Sequence, residues 1–155
     1  MKDRTRSIKL LLPALALLTA VSAGYLFYAV KERVANDYAV WHTADLIISY
    51  LKTHDDRWPR SWAELKTVQI EDPAGFIGAK AEAGGYSAFL ESLERRVAVN
   101  FTVETSELLK AELRSNGPPF RVLYLRNGKS AHYIDAEPNW LIFNYLRSNK
   151  RHHDI

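Results

Sequence analysis

Leu10–Val30, LLLPALALLTAVSAGYLFYAV, contains no charged side chain. As a helix rising 1.5 Å per residue this run is about 30 Å long, the thickness of the hydrocarbon core of a bilayer. Pro13 falls in its first turn, where a missing N–H is tolerated, and Tyr25 and Tyr28 stand near the far end, where amphipathic rings favour the interface. The segment reads as a transmembrane helix. The alternative is a cleaved signal peptide that releases a secreted protein, since Val21-Ser22-Ala23 follows a basic start and offers small residues for cleavage. The apolar run does not stop at Ala23, however. It continues through Leu26, Phe27 and Val30, as an anchor requires.

Working outward, residues 1–9 carry Lys2, Arg4, Arg6 and Lys9 against Asp3, a larger basic excess than Lys31, Glu32 and Arg33 supply on the far side. The positive-inside rule then makes residues 1–9 a cytoplasmic segment and 10–30 a single pass through the inner (cytoplasmic) membrane. Residues 31–155 become an external or periplasmic domain. The chain's net charge of +3 does not point to nucleic acid, because residues 34–155 hold 15 Lys and Arg against 16 Asp and Glu and leave no basic domain. With no cysteine, disulfides, thiolate catalysis and Cys-based metal or iron–sulfur sites are excluded. A length of 155 residues at 47% hydrophobic content suits one compact domain and an accessory segment.

No Pro or Gly occurs between Tyr25 and Asp56, and Val40, Ala44, Ile47, Ile48 and Leu51 recur at helical spacing, with Trp41 widening one side of the stripe. Asp45, Ser49 and Lys52 fall off it, as do Tyr38 and Leu46. The pattern predicts a helix that leaves the bilayer unbroken and packs one side on a folded domain. Continuous from Leu10 to Thr53, it would be about 66 Å long.

That helix must end before Pro59, whose ring disfavours helical geometry at Trp58. In the stretch HDDRWPRSWAEL (54–65), Ser61 and Glu64 have the spacing of a capping box, so a short helix restarts there. Trp58, Pro59, Ser61, Trp62 and Glu64 thus form a structural corner, with His54, Asp55 and Asp56 as polar residues at a helix end. The competing reading, a membrane-tethered hydrolase or ligand-binding domain, would join these three and His42 into a metal or acid–base cluster. His42 and His54 lack the spacing of three or four residues that sets two ligands on one turn. Adjacent His-Asp also occurs in metal-dependent phosphohydrolases, which need a larger all-helical domain.

Residues 71–86 hold four of the seven glycines and read as a loop without the Gly-Lys-Ser/Thr ending of a phosphate cradle. A helical turn is expected around Ser87–Leu93, then a strand in which Val97, Val99, Phe101 and Val103 alternate with polar or small residues. A helix over 106–115 starts at Ser106 and stops at Asn116-Gly117-Pro118-Pro119. Arg121–Arg126 and Lys129–Ile134 flank Asn127-Gly128 as a hairpin. Asp135 caps a last helix with Pro138 in its first turn and Trp140, Leu141, Phe143, Tyr145 and Leu146 as its apolar residues.

The class is α+β: an N-terminal transmembrane helix continuing into a long amphipathic helix, packed on a small antiparallel sheet of three strands. No serine sits in a nucleophile motif, His132 lies in an expected strand, His152 and His153 lie at a charged terminus, and Tyr86, Tyr124, Tyr133 and Tyr145 read as core. The sequence therefore assigns no catalytic, cofactor-binding or metal-binding residue and predicts a non-enzymatic protein. Ala16, Ala20 and Gly24, four apart, form a small-residue stripe on which a second copy can pack, giving a homo-oligomer.

The layout resembles bacterial pilin-like proteins and pseudopilins: a basic start, an apolar helix running into an amphipathic one, a turn carried here by Tyr50, Trp58, Pro59 and Leu65, then an antiparallel sheet. The family's processing site, Gly followed by Phe or Met and a Glu five residues into the apolar helix, is missing from residues 1–20. The resemblance implies a membrane-tethered assembly or scaffold component with membrane lipid and a protein as partners, without polymerisation through that site.

Overall fold

The computed structural model describes residues 2–68, 84–111, 117–131 and 137–153, with side chains from 15 to 149 within those ranges. In chain order the elements are α1 (Lys2–Thr53), α2 (Trp62–Leu65), α3 (Tyr86–Arg96), β1 (Val97–Val99), α4 (Thr105–Leu108), β2 (Leu123–Leu125) and α5 (Pro138–His153). This is an α+β fold with a small antiparallel sheet, and the chain divides into two compact units, Met1–Ala35 and Asn36–Ile155.

The first unit consists of α1 residues. Among the described residues α1 is the one helix long and apolar enough to cross a membrane. Its large apolar side chains from Leu15 to Val34 are exposed, Tyr25 at 71% and Phe27 at 74%. Ala16, Ala20 and Gly24 are exposed on the same helix.

In the second unit α1 becomes a core helix. Ala39, Val40, His42, Thr43, Ala44, Leu46, Ile47, Tyr50 and Leu51 are buried, an arc of roughly 200° at 100° per residue. This corrects the expected stripe. Val40, Ala44, Ile47 and Leu51 face the core, but Ile48 and Trp41 are only half-buried at one margin, and the buried arc widens on the other side through Tyr50, Leu46 and His42. Leu46, expected off the packed face, is fully buried. Thr43 is admitted to the core because its hydroxyl donates to the Ala39 carbonyl at 2.7 Å, one turn back.

Around this helix one hydrophobic cluster gathers Trp58, Trp62 and Leu65, then Phe89, Leu90 and Leu93 of α3, Val97, Leu108, Val122, Leu123 and Leu125, and Ile142 and Leu146 of α5. The sheet pairs β1 with β2 in the register Val97 to Leu125, Ala98 to Tyr124 and Val99 to Leu123. Asn100 adds one bond, its N–H donating to the Val122 carbonyl at 2.8 Å.

Among the described residues two strands stand where three were expected. The Asn127-Gly128 turn forms, with Gly128 at φ 70° and its N–H on the Leu125 carbonyl at 3.0 Å, but residues 129–131 are not strand, and β2 finds its partner in β1 instead. The strand expected to Val103 ends at Val99, although Phe101 and Val103 still pack on the core. α3 is a full helix beginning at Tyr86, after Gly84 and Gly85 with φ of 78° and 112°, rather than a turn from Ser87. α4 starts at Thr105 with Glu104 before it, so Ser106 lies inside the helix. Residues 69–83, 112–116 and 132–136, including His132, Tyr133 and Asp135, lie outside the described residues.

Glu137 caps α5, one carboxylate oxygen accepting from the Trp140 N–H at 3.1 Å and the other from Asn139 Nδ2 at 2.6 Å. Asn139, only 1% exposed, turns its Oδ1 to the N–H groups of Val122 and Leu123, at 2.8 and 3.0 Å. One amide thus joins the start of α5 to the start of β2.

Candidate functional site

A set of interacting polar side chains lies where α1 ends. Asp55 and Asp56 take left-handed conformations, φ 51° and 56°, which aspartate tolerates better than most residues. The Asp56 N–H then returns to the Leu51 carbonyl at 3.0 Å, a closure commonly made with glycine at a helix C-terminus. The chain leaves at an angle, and Trp58 and Pro59 are buried immediately after.

One side of the corner is organised by Glu64. The Ser61 hydroxyl accepts from the Glu64 N–H at 3.3 Å, while the Glu64 carboxylate accepts from the Arg60 N–H at 2.9 Å and the Tyr50 hydroxyl at 2.7 Å. The Arg60 amide and the Tyr50 hydroxyl hold its carboxyl below the usual range. Burial, and then Glu64, pushes the Tyr50 phenol up. Arg57 donates to the same phenol oxygen at 3.2 Å. The His54 imidazole stacks on the Tyr50 ring at 3.9 Å, its Nδ1 3.0 Å from the Tyr50 carbonyl and 2.9 Å from the Thr53 hydroxyl.

The other side is organised by Asp56. Its carboxylate accepts from the Tyr145 hydroxyl at 2.9 Å and from Asn149 Nδ2 at 2.5 Å, and its carbonyl accepts from the Thr105 hydroxyl at 2.7 Å. Burial and the adjacent Asp56 raise the Tyr145 phenol to about 12. Trp58 Nε1 donates to the Asn100 carbonyl at 2.9 Å, and the Trp62 ring meets Phe101 edge-on.

An open cleft of about 350 Å³ is lined by Leu51, Lys52, Asp55, Asp56, Tyr145 and Asn149. Lys52 Nζ lies 5.9 Å from the Tyr145 ring centre, so the chain's own cation occupies the aromatic face of the cleft. No group of three metal-ligating side chains occurs among the described residues. His54, Asp55 and Asp56 are neighbours, but His54 engages Tyr50 while Asp56 engages α5. His42 stands apart, 12 residues earlier on α1 and about 18 Å along it, against the rings of Tyr38 and Phe89. Sequence reasoning missed Arg57, Thr105 and Asn149. The spacing of Tyr145 and Asn149 marks one face of α5, but nothing local links that face to Asp56.

Burial lowers the His42 imidazole from 6.5 to about 4. Between those values the unfolded chain takes up a proton that the folded chain refuses. Stability is therefore full above pH 6.5, falls as the pH drops and levels off below 4, a loss of about 3 kcal/mol. Urea midpoints at pH 7 and pH 4.5 should separate more in the parent than in His42→Phe. Parallel profiles would contradict this burial.

No protein-family model, curated protein or solved structure matches the chain.

Proposed function

We propose that the chain is a single-pass protein of the inner (cytoplasmic) membrane. Residues 1–9 are cytoplasmic, 10–30 cross the bilayer, and 31–155 form an external or periplasmic domain that serves as a protein-binding or assembly component. The observation that carries the reading is the exposure of Leu15, Leu17, Leu18, Val21, Tyr25, Leu26, Phe27, Tyr28 and Val30 on one helix. So large an apolar surface demands a cover, and lipid is the cover that its length and lack of charge fit.

Cleavage after Ala23 would leave Tyr25, Leu26, Phe27, Tyr28 and Val30 uncovered at the new N-terminus, which favours retention of the anchor over a secreted product. For the domain, a binding role is favoured over tethered hydrolysis because the corner's polar groups are spent on architecture. Glu64 holds Tyr50 and the Arg60 amide, and Asp56 holds Tyr145 and Asn149.

Protease added to spheroplasts of a Gram-negative host expressing the chain should remove the part beyond residue 34 and spare a tag at the N-terminus. Protection of the C-terminal part would contradict this topology, and recovery of a soluble chain beginning at Gly24 would contradict the retained anchor.

A further inference from the structure

We infer that Asn127 is a site of self-modification: its side-chain amide is lost by ring closure onto the Gly128 nitrogen, and the turn after β2 becomes an aspartyl or isoaspartyl one. Leu125, Arg126, Asn127 and Gly128 form that turn. It is closed by the Gly128 N–H on the Leu125 carbonyl at 3.0 Å, and Gly128 follows the two central residues at φ 70°. Asn127 Oδ1 accepts from the Lys129 N–H at 3.0 Å. That bond holds the side-chain carbonyl close to the backbone it must react with and draws electron density from Cγ. Residues 126–129 are all exposed, so water reaches the turn.

The reaction needs only water and hydroxide. The Gly128 nitrogen gives its proton to hydroxide and attacks Asn127 Cγ. The new C–N bond closes a succinimide ring, and the Cγ–Nδ2 bond breaks, Nδ2 leaving as ammonia with a proton from water. Water then opens the ring at either carbonyl, and nothing is oxidised or reduced. One opening gives aspartate, while the other leaves the main chain running through the former side chain, longer by one methylene. Placing nucleophile and electrophile on adjacent residues makes the first step intramolecular. Glycine lets the ring close, since it lacks the Cβ that would crowd it and restrict the backbone. The other described asparagines each precede a residue with a Cβ, and Asn36, Asn139, Asn144 and Asn149 are also held in helices.

What opposes the reaction is the bond from the Gly128 N–H to the Leu125 carbonyl, which must open before the nitrogen can turn on Cγ. It is one hydrogen bond at the surface, so the folded chain reacts at most about ten-fold more slowly than the unfolded one. Arg126 and Lys129 adjoin the reacting pair, and their charges favour the deprotonated nitrogen. Either product then sets a carboxylate beside Arg126. The Arg126 N–H donates to the Arg96 carbonyl at 2.8 Å, and its Nε donates to the carbonyls of Glu94 at 2.8 Å and Val97 at 3.1 Å. The modification therefore acts on the joint between α3 and β2.

Full-length protein purified in detergent is incubated at pH 7 and pH 8, folded or in urea, then digested and mapped by fragmentation that tells aspartyl from isoaspartyl bonds. Both products should accumulate at residue 127 of the folded protein, and about ten-fold faster at pH 8, because the deprotonated fraction of so weak an acid rises in proportion to hydroxide. The folded rate should lie within about ten-fold of the rate in urea. The converted form, separated by anion exchange, should melt about 3 °C or more below the parent. Asn116-Gly117 is the same dipeptide, with Asn116 outside the described residues, and mapping reports it separately. A residue 127 that stays asparagine in the folded protein while it converts in urea overturns the inference. So does aspartate there without isoaspartate, which only the ring can yield. Unchanged melting of the converted form overturns the effect on the joint.

Discussion

Asn139→Leu is expected to lower the stability of the Asn36–Ile155 unit by about 3–5 kcal/mol, with a fall in Tm of more than about 10 °C. Leucine fills a similar volume but offers no acceptor, so the N–H groups of Val122 and Leu123, which share Asn139 Oδ1, would be buried without partners. Each such loss costs about 1–3 kcal/mol. The site also predicts how Asn139→Asp should behave. Aspartate keeps an acceptor for both amides but loses the donation to Glu137 and sets a second carboxylate against it. Protonation relieves that repulsion, so the loss relative to the parent should be smaller at pH 4.5 than at pH 7. A loss for Asn139→Asp that does not vary with pH would mean that Asn139 does not face Glu137 as described.

The second large effect is at the corner. Trp58 is 3% exposed, and Trp58→Ala removes both its ring from the core and the donor to the Asn100 carbonyl, a cost of about 3–5 kcal/mol. Trp58→Phe keeps much of the apolar area and should cost about 1–2 kcal/mol, chiefly the hydrogen bond. His54→Ala removes a half-buried ring stacked on Tyr50 and should cost about 1 kcal/mol or less. Chemical denaturation of the three variants orders them directly. A His54→Ala loss as large as that of Trp58→Ala would show that the histidine, and not the indole, holds the corner.

That α1 runs unbroken from Tyr25 was legible because two local facts bound it, the absence of Pro and Gly from Tyr25 onward and Pro59 beyond its end. Its start was not, since Pro13 was read into the first turn of a helix from Leu10, whereas α1 begins at Lys2. Its stopping point was only partly legible, since it depends on Asp55 and Asp56 entering left-handed geometry that neither residue type demands. The buried face was read at the wrong angle for a physical reason. Apolar periodicity weighs Trp41 and Ile48 heavily and discounts Thr43 and His42, whereas burial admits Thr43 through its bond to Ala39 and seats His42 between two rings.

The Asn127-Gly128 turn was legible from its dipeptide, but the partner of β2 was not, because pairing with β1 brings together residues from opposite sides of α4. At the candidate site, Ser61 and Glu64 announced themselves by spacing. The bond from Tyr145 to Asp56 joins residues 89 apart, and no local pattern encodes it.

The central claim is that the apolar half of α1 remains on the chain and sits in lipid. Membranes from expressing cells are washed with alkaline carbonate, and the protein's distribution and intact mass are measured together. The account predicts a chain of the full 17.7 kDa that stays with the floated membranes. A soluble product whose mass corresponds to a start at Gly24 would contradict it.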